Sequence, residues 1–326
     1  MTQHVNAGDD RAALIEEIRR LKKEKGAVVL AHYYTDGDVQ DLADIIGDSL
    51  ALARKAAELG PEVSTVVMCG VHFMGETVKV LCPDKTVLMP DLLAGCSLAD
   101  SCPVEDFRAF IEAHPGHTVV SYVNTSLGVK ALSDVLVTSG NALKVVESFP
   151  KDEKIIFGPD RNLGAFINSA TGREMVLWDG ACHVHERFSV EGIKALKAEH
   201  PEAPVLVHPE CKRPVVLLAD KVGSTAALLD FARASEAREF IVATESGILH
   251  EMRKACPEKT FLPAPPSVGE AGEGAPGCGC NDCAYMKLNT LRALRDCLRD
   301  GRPEIKIDPA LAREALRSID RMLELS

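Results

Sequence analysis

The sequence predicts an α/β fold with an internal triple repeat, in which three similar α/β/α sandwich domains surround a pseudo-threefold axis. Three observations lead to this prediction. A strand-turn-helix segment occurs three times in the 326 residues, uninterrupted Val/Ile/Leu runs alternate with helical patterns, and a cysteine in a small-residue loop follows each copy. The copies begin with the strands predicted at residues 28–34, 118–124 and 204–210.

The three copies align position by position. Three kinds of position match: the residue that ends the first strand, the residue two places later, and a serine before the next helix. They are His32, Tyr122 and His208; Tyr34, Asn124 and Glu210; and Ser49, Ser139 and Ser224. The first and last matched positions are 17, 17 and 16 residues apart. A period of about 90 residues fits small independent domains and is too long for a solenoid.

The elements of each repeat follow one order. A helical pattern comes first, at 14–25, 104–114 and 190–200, and leads into the first strand. A second apolar run, a helix and a third apolar run then complete the unit; in the first repeat they lie at 65–69, 73–81 and 85–90. Such runs predict parallel strands that are buried on both faces. The predicted domains are 9–101, 102–187 and 188–283, followed by C-terminal helices in 284–326.

The polar residues at the strand ends predict a functional site. In open α/β sheets, ligands bind at the carboxyl ends of the parallel strands. Ser49, Ser139 and Ser224 occupy positions where helix N-caps are expected. Helix N-termini attract carboxylates and phosphates, so three of them in register indicate an anion pocket, although a single such serine more often only caps its helix.

Composition excludes several classes of partner. The net charge of −11 argues against nucleic acid. The chain opens on a polar stretch and contains no long apolar run, so we expect no signal peptide and no membrane partner. Eleven cysteines without an export signal indicate reduced thiols and a cytoplasmic protein. The Gly-rich stretch 269–279 is predicted to form a lid or a flexible loop.

The cysteines indicate a metal centre. One loop cysteine belongs to each repeat: Cys96, Cys182 and Cys283. Three thiolates can hold a 4Fe–4S cluster and leave one iron open as a Lewis acid. The alternative is three unrelated loop cysteines. Cys278 and Cys280 lie beside Cys283, but no second close pair completes a structural zinc site. The remaining cysteines are expected mainly as packing residues: Cys69, Cys82, Cys102, Cys211, Cys256 and Cys297.

Many motifs, in order from about residue 27 to 295, make the chain resemble the quinolinate synthase family. They are AHYYTDGDVQDLADIIGDSLALARKA, FMGETVKVLCPDKTVLMP, AGCSLAD, SYVNTS, VKALSDV, GPDRNLG, CHVHERF, HPEC, GSTAALL and AYMKLNTL. The resemblance implies three α/β domains around one 4Fe–4S cluster. It also implies condensation of iminoaspartate with dihydroxyacetone phosphate, with loss of phosphate and water, to quinolinate for NAD biosynthesis. It leaves room for a transient contact with the enzyme that produces iminoaspartate.

The resemblance also assigns residues. It implies Cys96, Cys182 and Cys283 as cluster ligands. It implies the following pocket residues: His32, Tyr34, Ser49, Tyr122, Asn124, Ser139, His185, His208, Glu210, Ser224 and Thr225. The reaction needs an acid and a base, for which Tyr34 and Glu210 are the first choice, with Tyr122 or His185 as alternatives.

The chain departs from the family pattern at two places. The tail cysteines Cys278, Cys280 and Cys283 are unevenly spaced, which puts a shared redox role for the first two in doubt. His183 stands where many members carry Pro; an exposed loop is its expected place, and an approach to the cluster is the alternative. Two rival functions remain open from the sequence: an iron–sulfur hydro-lyase acting on a hydroxy acid, and a non-catalytic iron–sulfur binding protein.

Overall fold

The computed structural model describes residues 7–267 and 281–326, in which three four-stranded parallel sheets occur. Cys278, Cys280 and the whole Gly-rich stretch 269–279 lie outside the described residues, so the prediction of a lid or flexible loop there stays a prediction. The predicted α/β fold class with three parallel sheets is therefore confirmed. The position of each sheet in the sequence follows the predicted repeat.

The three sheets share one strand order. Strands β1 to β4 pair in the order β2-β1-β3-β4, and the next two sheets pair as β6-β5-β7-β8 and β10-β9-β11-β12. The strands are β1 (Ala27–His32), β2 (Ile45–Gly47), β3 (Thr65–Cys69), β4 (Thr86–Leu88), β5 (Thr118–Tyr122), β6 (Val135–Val137), β7 (Ile155–Gly158), β8 (Val176–Leu177), β9 (Val205–Val207), β10 (Lys221–Val222), β11 (Glu239–Ala243) and β12 (Thr260–Pro263).

Helices connect the strands as crossovers, which parallel pairing requires. They are α1 (Ala7–Lys25), α2 (Gly37–Gln40), α3 (Ser49–Ala57), α4 (His72–Leu81), α5 (Ser97–Asp100), α6 (Val104–Glu112), α7 (Leu127–Leu132), α8 (Ala142–Ser148), α9 (Arg161–Thr171), α10 (Val190–Glu199), α11 (Arg213–Val216), α12 (Thr225–Ala234), α13 (Ile248–Ala255), α14 (Leu291–Asp300) and α15 (Pro309–Leu325), with 3₁₀ turns at His185–Arg187 and Met286–Leu288. Across the part of the chain that the structure describes, no helix is both long and apolar enough to span a bilayer.

Each sheet contains one strand that the sequence did not predict. These strands are β2, β6 and β10, each two or three residues long. An aspartate immediately precedes each of these strands and makes two hydrogen bonds with a valine of the first strand of its sheet. The valine N–H donates to the carboxylate at 2.7–2.8 Å, and the aspartate N–H donates to the valine carbonyl at 2.8–2.9 Å. The pairs are Val29 with Asp44, Val119 with Asp134, and Val205 with Asp220.

The chain divides into two compact units, Met1–Gly95 with Tyr285–Ile307 and Cys96–Ala284 with Asp308–Ser326. The first unit contains the first sheet, and α1 and α14 bury Ile18 and Leu294 in its core. The second unit contains the other two sheets and α15, which is tied to α7 by the Ser318 hydroxyl donating to the Lys130 carbonyl at 2.7 Å. The predicted domain boundaries stay a prediction.

Six cysteines pack as apolar residues, as expected. Each is at most 4% exposed, and burial raises the pKa of Cys102 and Cys297 to about 12. A neutral thiol is the stable form in such surroundings. The six are Cys69, Cys82, Cys102, Cys211, Cys256 and Cys297.

Candidate active site and cluster ligands

The matched strand ends carry the same local geometry in two repeats. After β9, the backbone N–H of Glu210 donates to Nδ1 of His208 at 3.4 Å. After β1, the backbone N–H of Tyr34 donates to Nδ1 of His32 at 3.2 Å. This contact orients each imidazole. In the first unit, the rings of His32 and Tyr34 also meet edge to face at 4.5 Å between centroids, and Lys287 Nζ donates to the Tyr34 carbonyl at 2.9 Å.

A buried hydrogen-bonded chain in the second unit centres on Glu210. The Tyr122 hydroxyl donates to Glu210 Oε1. Glu210 Oε2 lies 2.8 Å from His185 Nδ1, and His185 Nε2 lies 3.0 Å from Thr244 Oγ1. All four residues are at most 5% exposed. Residues from the ends of β5 and β11 and from the loops after β8 and β9 therefore meet in one polar group that can hold and move a proton.

Two carboxyl groups in this region, Glu210 and Asp160, have pKa values shifted in opposite directions. Burial alone would raise the pKa of Glu210, but the charges of His185 and His208 and hydrogen bonds from His185 and Tyr122 outweigh it and lower the pKa. Asp160 is fully buried, and burial followed by the charge of Glu210 raises its pKa well above the usual range. The surroundings thus favour the ionised form of Glu210 and the neutral form of Asp160.

Polar groups of the second and third repeats surround this chain. The ring of His208 stacks on His185 at 4.6 Å, and its Nε2 lies 3.2 Å from Ser139 Oγ. A Cβ at Gly140 would lie 3.4 Å from Ser224 Oγ, so the turn after Ser139 closely approaches Ser224. Asn124 Oδ1 is buried and has no hydrogen-bond partner within the described residues. Such an acceptor is available to a ligand donor.

The N-cap prediction is right for one serine and wrong for two. Ser224 caps α12, and its hydroxyl accepts from the Ala227 N–H at 3.3 Å, with Thr225 as the first helical residue. Ser49 is instead the first residue of α3, because the Asp48 carboxylate accepts from the helix at 3.0 Å and serves as the cap. Ser139 lies two residues before Asn141, the N-cap of α8.

The three candidate cluster cysteines lie in the second unit and interact electrostatically. Cys96 is the N-cap of α5, and Cys182 and Cys283 each lie three residues before a 3₁₀ turn. Burial raises the pKa of Cys96 to about 12, and the charges of Cys283 and Glu210 raise it further. Burial also raises the pKa of Cys182 well above its usual range, followed by the charge of Glu210 and then those of the Cys96 and Cys283 thiols. Backbone N–H groups act in the opposite direction, from Ala99 and Leu98 on Cys96 and from His185 on Cys182. Neighbouring thiols of this kind become stable thiolates when a metal binds.

The candidate ligand atoms fall into different spatial groups. Among the described residues, the groups whose ligand atoms lie within 4.8 Å of one another do not contain the three cysteines together. A narrower set does exist, formed by Cys182, His185 and Glu210.

Comparison with known proteins shows which family the chain belongs to. The family model described as Quinolinate synthetase A protein matches residues 16–324. The chain belongs to the quinolinate synthase family. Quinolinate synthases of similar sequence come from a Synechococcus species, at 53% identity over 97% of this chain and 96% of the relative, and from Chloroherpeton thalassium, at 54% identity over 96% and 94%. A Nostoc relative with the same name is 52% identical over 96% and 94%.

Several polar residues of this family member were missed by sequence reasoning. Asp160 follows β7, and Thr244 and Glu245 follow β11. Along the chain, β7 and β11 are each the third strand of their sheet. The Glu245 carboxylate is fully buried and accepts from the Cys283 N–H at 3.1 Å and the Gly247 N–H at 2.7 Å. The rule that points to strand ends would have found them had it been applied beyond the first strand of each repeat.

His183 does not lie in an exposed loop, contrary to expectation. It is half-buried, and its Nδ1 lies 2.6 Å from Ser97 Oγ. Burial, followed by the charges of Arg187 and His185, lowers its pKa. Since Ser97 follows Cys96 and His183 follows Cys182, this hydrogen bond joins two of the candidate ligand loops.

Proposed function

We propose that the chain is a quinolinate synthase that condenses iminoaspartate with dihydroxyacetone phosphate, with loss of phosphate and water, in NAD biosynthesis. Family membership supports the activity. The observation that carries the residue assignment is the buried chain Tyr122–Glu210–His185–Thr244 in the same unit as three interacting thiols. A proton-carrying group beside a metal-type donor set is what a condensation with repeated tautomerisation requires.

We propose Cys96, Cys182 and Cys283 as the ligands of a 4Fe–4S cluster. When bound, such a cluster with one open iron supplies a Lewis acid for carboxylate, carbonyl or hydroxyl oxygens. The protein contribution lies in the loops. Glu245 holds the backbone of Cys283, and the Ser97–His183 bond joins the other two loops. These contacts support three thiolates held in position before the cluster arrives.

Glu210 is the proposed base. Forming a carbon–carbon bond from an imine requires removal of a proton from the neighbouring carbon, and an ionised carboxylate can accept it. His185 lies next to Glu210 and can take the proton onward, because its second nitrogen contacts a hydroxyl that can donate or accept. Tyr122 and Tyr34 are the proposed acids.

The remaining polar residues are proposed to bind the substrates. Hydroxyl, imidazole and amide groups can hold the carboxylates and the phosphate without adding negative charge. They are His32, Ser49, Asn124, Ser139, His208, Ser224 and Thr225. A cytoplasmic location and a transient contact with the enzyme that produces iminoaspartate belong to the same proposal.

The experiment is anaerobic purification followed by iron and sulfide counts and a quinolinate assay. Iminoaspartate would be generated from oxaloacetate and ammonia and mixed with dihydroxyacetone phosphate. We expect about four iron atoms per chain. Cys96→Ala, Cys182→Ala and Cys283→Ala should each lose the iron, while Cys69→Ala and Cys297→Ala keep it. Protein that holds iron yet converts only a hydroxy diacid would instead support a hydro-lyase.

A further inference from the structure

Three ligand-type side chains in the second unit stand close enough to hold a single metal ion. The Cys182 thiol, the His185 imidazole and the Glu210 carboxylate have ligand atoms within 4.8 Å of one another. His185 and Glu210 are each 2% exposed, and Cys182 is half-buried. This set includes only one of the three candidate cluster cysteines, so it is a different site that shares one ligand with the cluster.

The chemistry of the three donors matches late divalent ions. Thiolate, imidazole nitrogen and carboxylate oxygen are the usual protein ligands of zinc, and three of them with one open position form a common arrangement. Alkaline-earth ions prefer all-oxygen sites and fit poorly here.

The surroundings of His185 already orient it for such an ion. Its Nε2 contacts Thr244 Oγ1 at 3.0 Å, so its Nδ1 points at Glu210 Oε2, 2.8 Å away. A metal-bound histidine is ordinarily held in this way through its other nitrogen. Glu210 is held in turn by the Tyr122 hydroxyl on its other oxygen.

We propose that the protein without its cluster binds one Zn²⁺, or a similar late divalent ion, through Cys182, His185 and Glu210. On binding, the Cys182 thiol and the proton shared by His185 Nδ1 and Glu210 are both released to solvent, which leaves the imidazole protonated at Nε2 alone. The hydrogen bond between His185 and Glu210 is replaced by a bond from each to the ion. The cation stabilises the buried thiolate and carboxylate together. If the proposed function is right, the ion occupies one cluster ligand, Cys182, and two proton-transfer residues, His185 and Glu210. Zinc-loaded protein can then neither bind the cluster nor catalyse the reaction.

Cobalt(II) is the probe that tests the site, because it occupies zinc sites and is coloured. The metal-free full-length chain would be titrated with Co²⁺ under reducing, anaerobic conditions, and Zn²⁺ would then compete. We expect one equivalent with a thiolate charge-transfer band. Cys182→Ala, His185→Gln and Glu210→Gln should each weaken Co²⁺ binding by at least about 100-fold, the upper end of what losing an outer-shell partner costs.

Cys96→Ala and Cys283→Ala are the matched controls. Each should lose the cluster yet bind Co²⁺ as the wild-type chain does, and circular dichroism would verify that every variant is folded. Equal loss of Co²⁺ binding in all three cysteine variants would place the ion among the thiols and overturn the proposal, as would absence of the charge-transfer band. Neither result depends on quinolinate formation, so failure here is distinct from failure of the proposed function.

Discussion

Glu210→Gln is the change that separates chemistry from binding. The amide oxygen can still accept from the Tyr122 hydroxyl, which now donates to Glu210 Oε1. The amide NH₂ would face His185 Nδ1, now 2.8 Å from Oε2. His185 can accept this bond if its Nε2 carries the proton and donates to Thr244. Every hydrogen bond can therefore be made in the variant, and we expect it to fold.

The expected loss of turnover follows from removing the proton acceptor. A positioned general base contributes about 10²–10⁴-fold to rate, or about 3–5 kcal/mol of the barrier. Cluster content should stay unchanged because Glu210 is not among the proposed cluster ligands. The assay is quinolinate formation at saturating substrates, with iron counted in the same samples.

Stability against pH gives a second measurement with a defined sign. The charges of His185 and His208 lower the pKa of folded Glu210 below its ordinary value of 4.5 despite the opposing effect of burial. Its contribution to stability is therefore present above about pH 4.5 and is lost as pH falls towards the lower folded pKa. Glu210→Gln should lack this acid-side component.

Glu239→Gln is the matched control. Glu239 also pairs with a histidine, His200, at 2.9 Å, but on a partly exposed surface outside the buried chain. It should keep normal turnover. Near-normal turnover in Glu210→Gln would refute its assignment as base and move the proton-transfer role to Tyr34, His185 or Tyr122.

Three further predictions follow from single contacts. Glu245→Gln places an amide NH₂ against one of the two backbone N–H donors, which costs about 1–3 kcal/mol. Iron release to a chelator should therefore be about tenfold faster or more. An unchanged release rate would show that Glu245 does not hold Cys283. Ser139→Ala removes the hydroxyl at His208 and should weaken dicarboxylate binding about tenfold to a hundredfold, with thermal stability almost unchanged. Asp160→Asn should be at least as stable as the wild-type chain at pH 8. Burial and then the charge of Glu210 raise the pKa of Asp160, so its ionisation at higher pH destabilises the folded state. Marked destabilisation of the variant at pH 8 would mean that Asp160 is ionised.

The sequence by itself determined the repeat and most of its elements. Uninterrupted Val/Ile runs predict β3 and β7, which are almost wholly buried, and helical periodicity predicts α4 and α13 within a residue or so. These signals are local, since burial of a strand or helix face imprints a period on neighbouring residues. The short strands β2, β6 and β10 were not predicted, because two or three residues carry no period; β4 and β9 are as short, but they lie within the longer runs 85–90 and 204–210.

The tertiary structure alone decided which strand ends meet. Tyr122 and Glu210 are 88 residues apart, and Ser139 and His208 are 69 apart. No local pattern encodes such a contact, because it results from the packing of whole repeats. The choice of N-cap residues was likewise decided by the tertiary structure. At α3, the Asp48 side chain rather than Ser49 accepts the hydrogen bond from the helix backbone. Two adjacent residues that can both cap a helix compete, and the backbone geometry selects one. Long-range packing therefore brought Tyr122 and Glu210, from two repeats, into one buried hydrogen-bonded group in the unit that also contains the three cysteines.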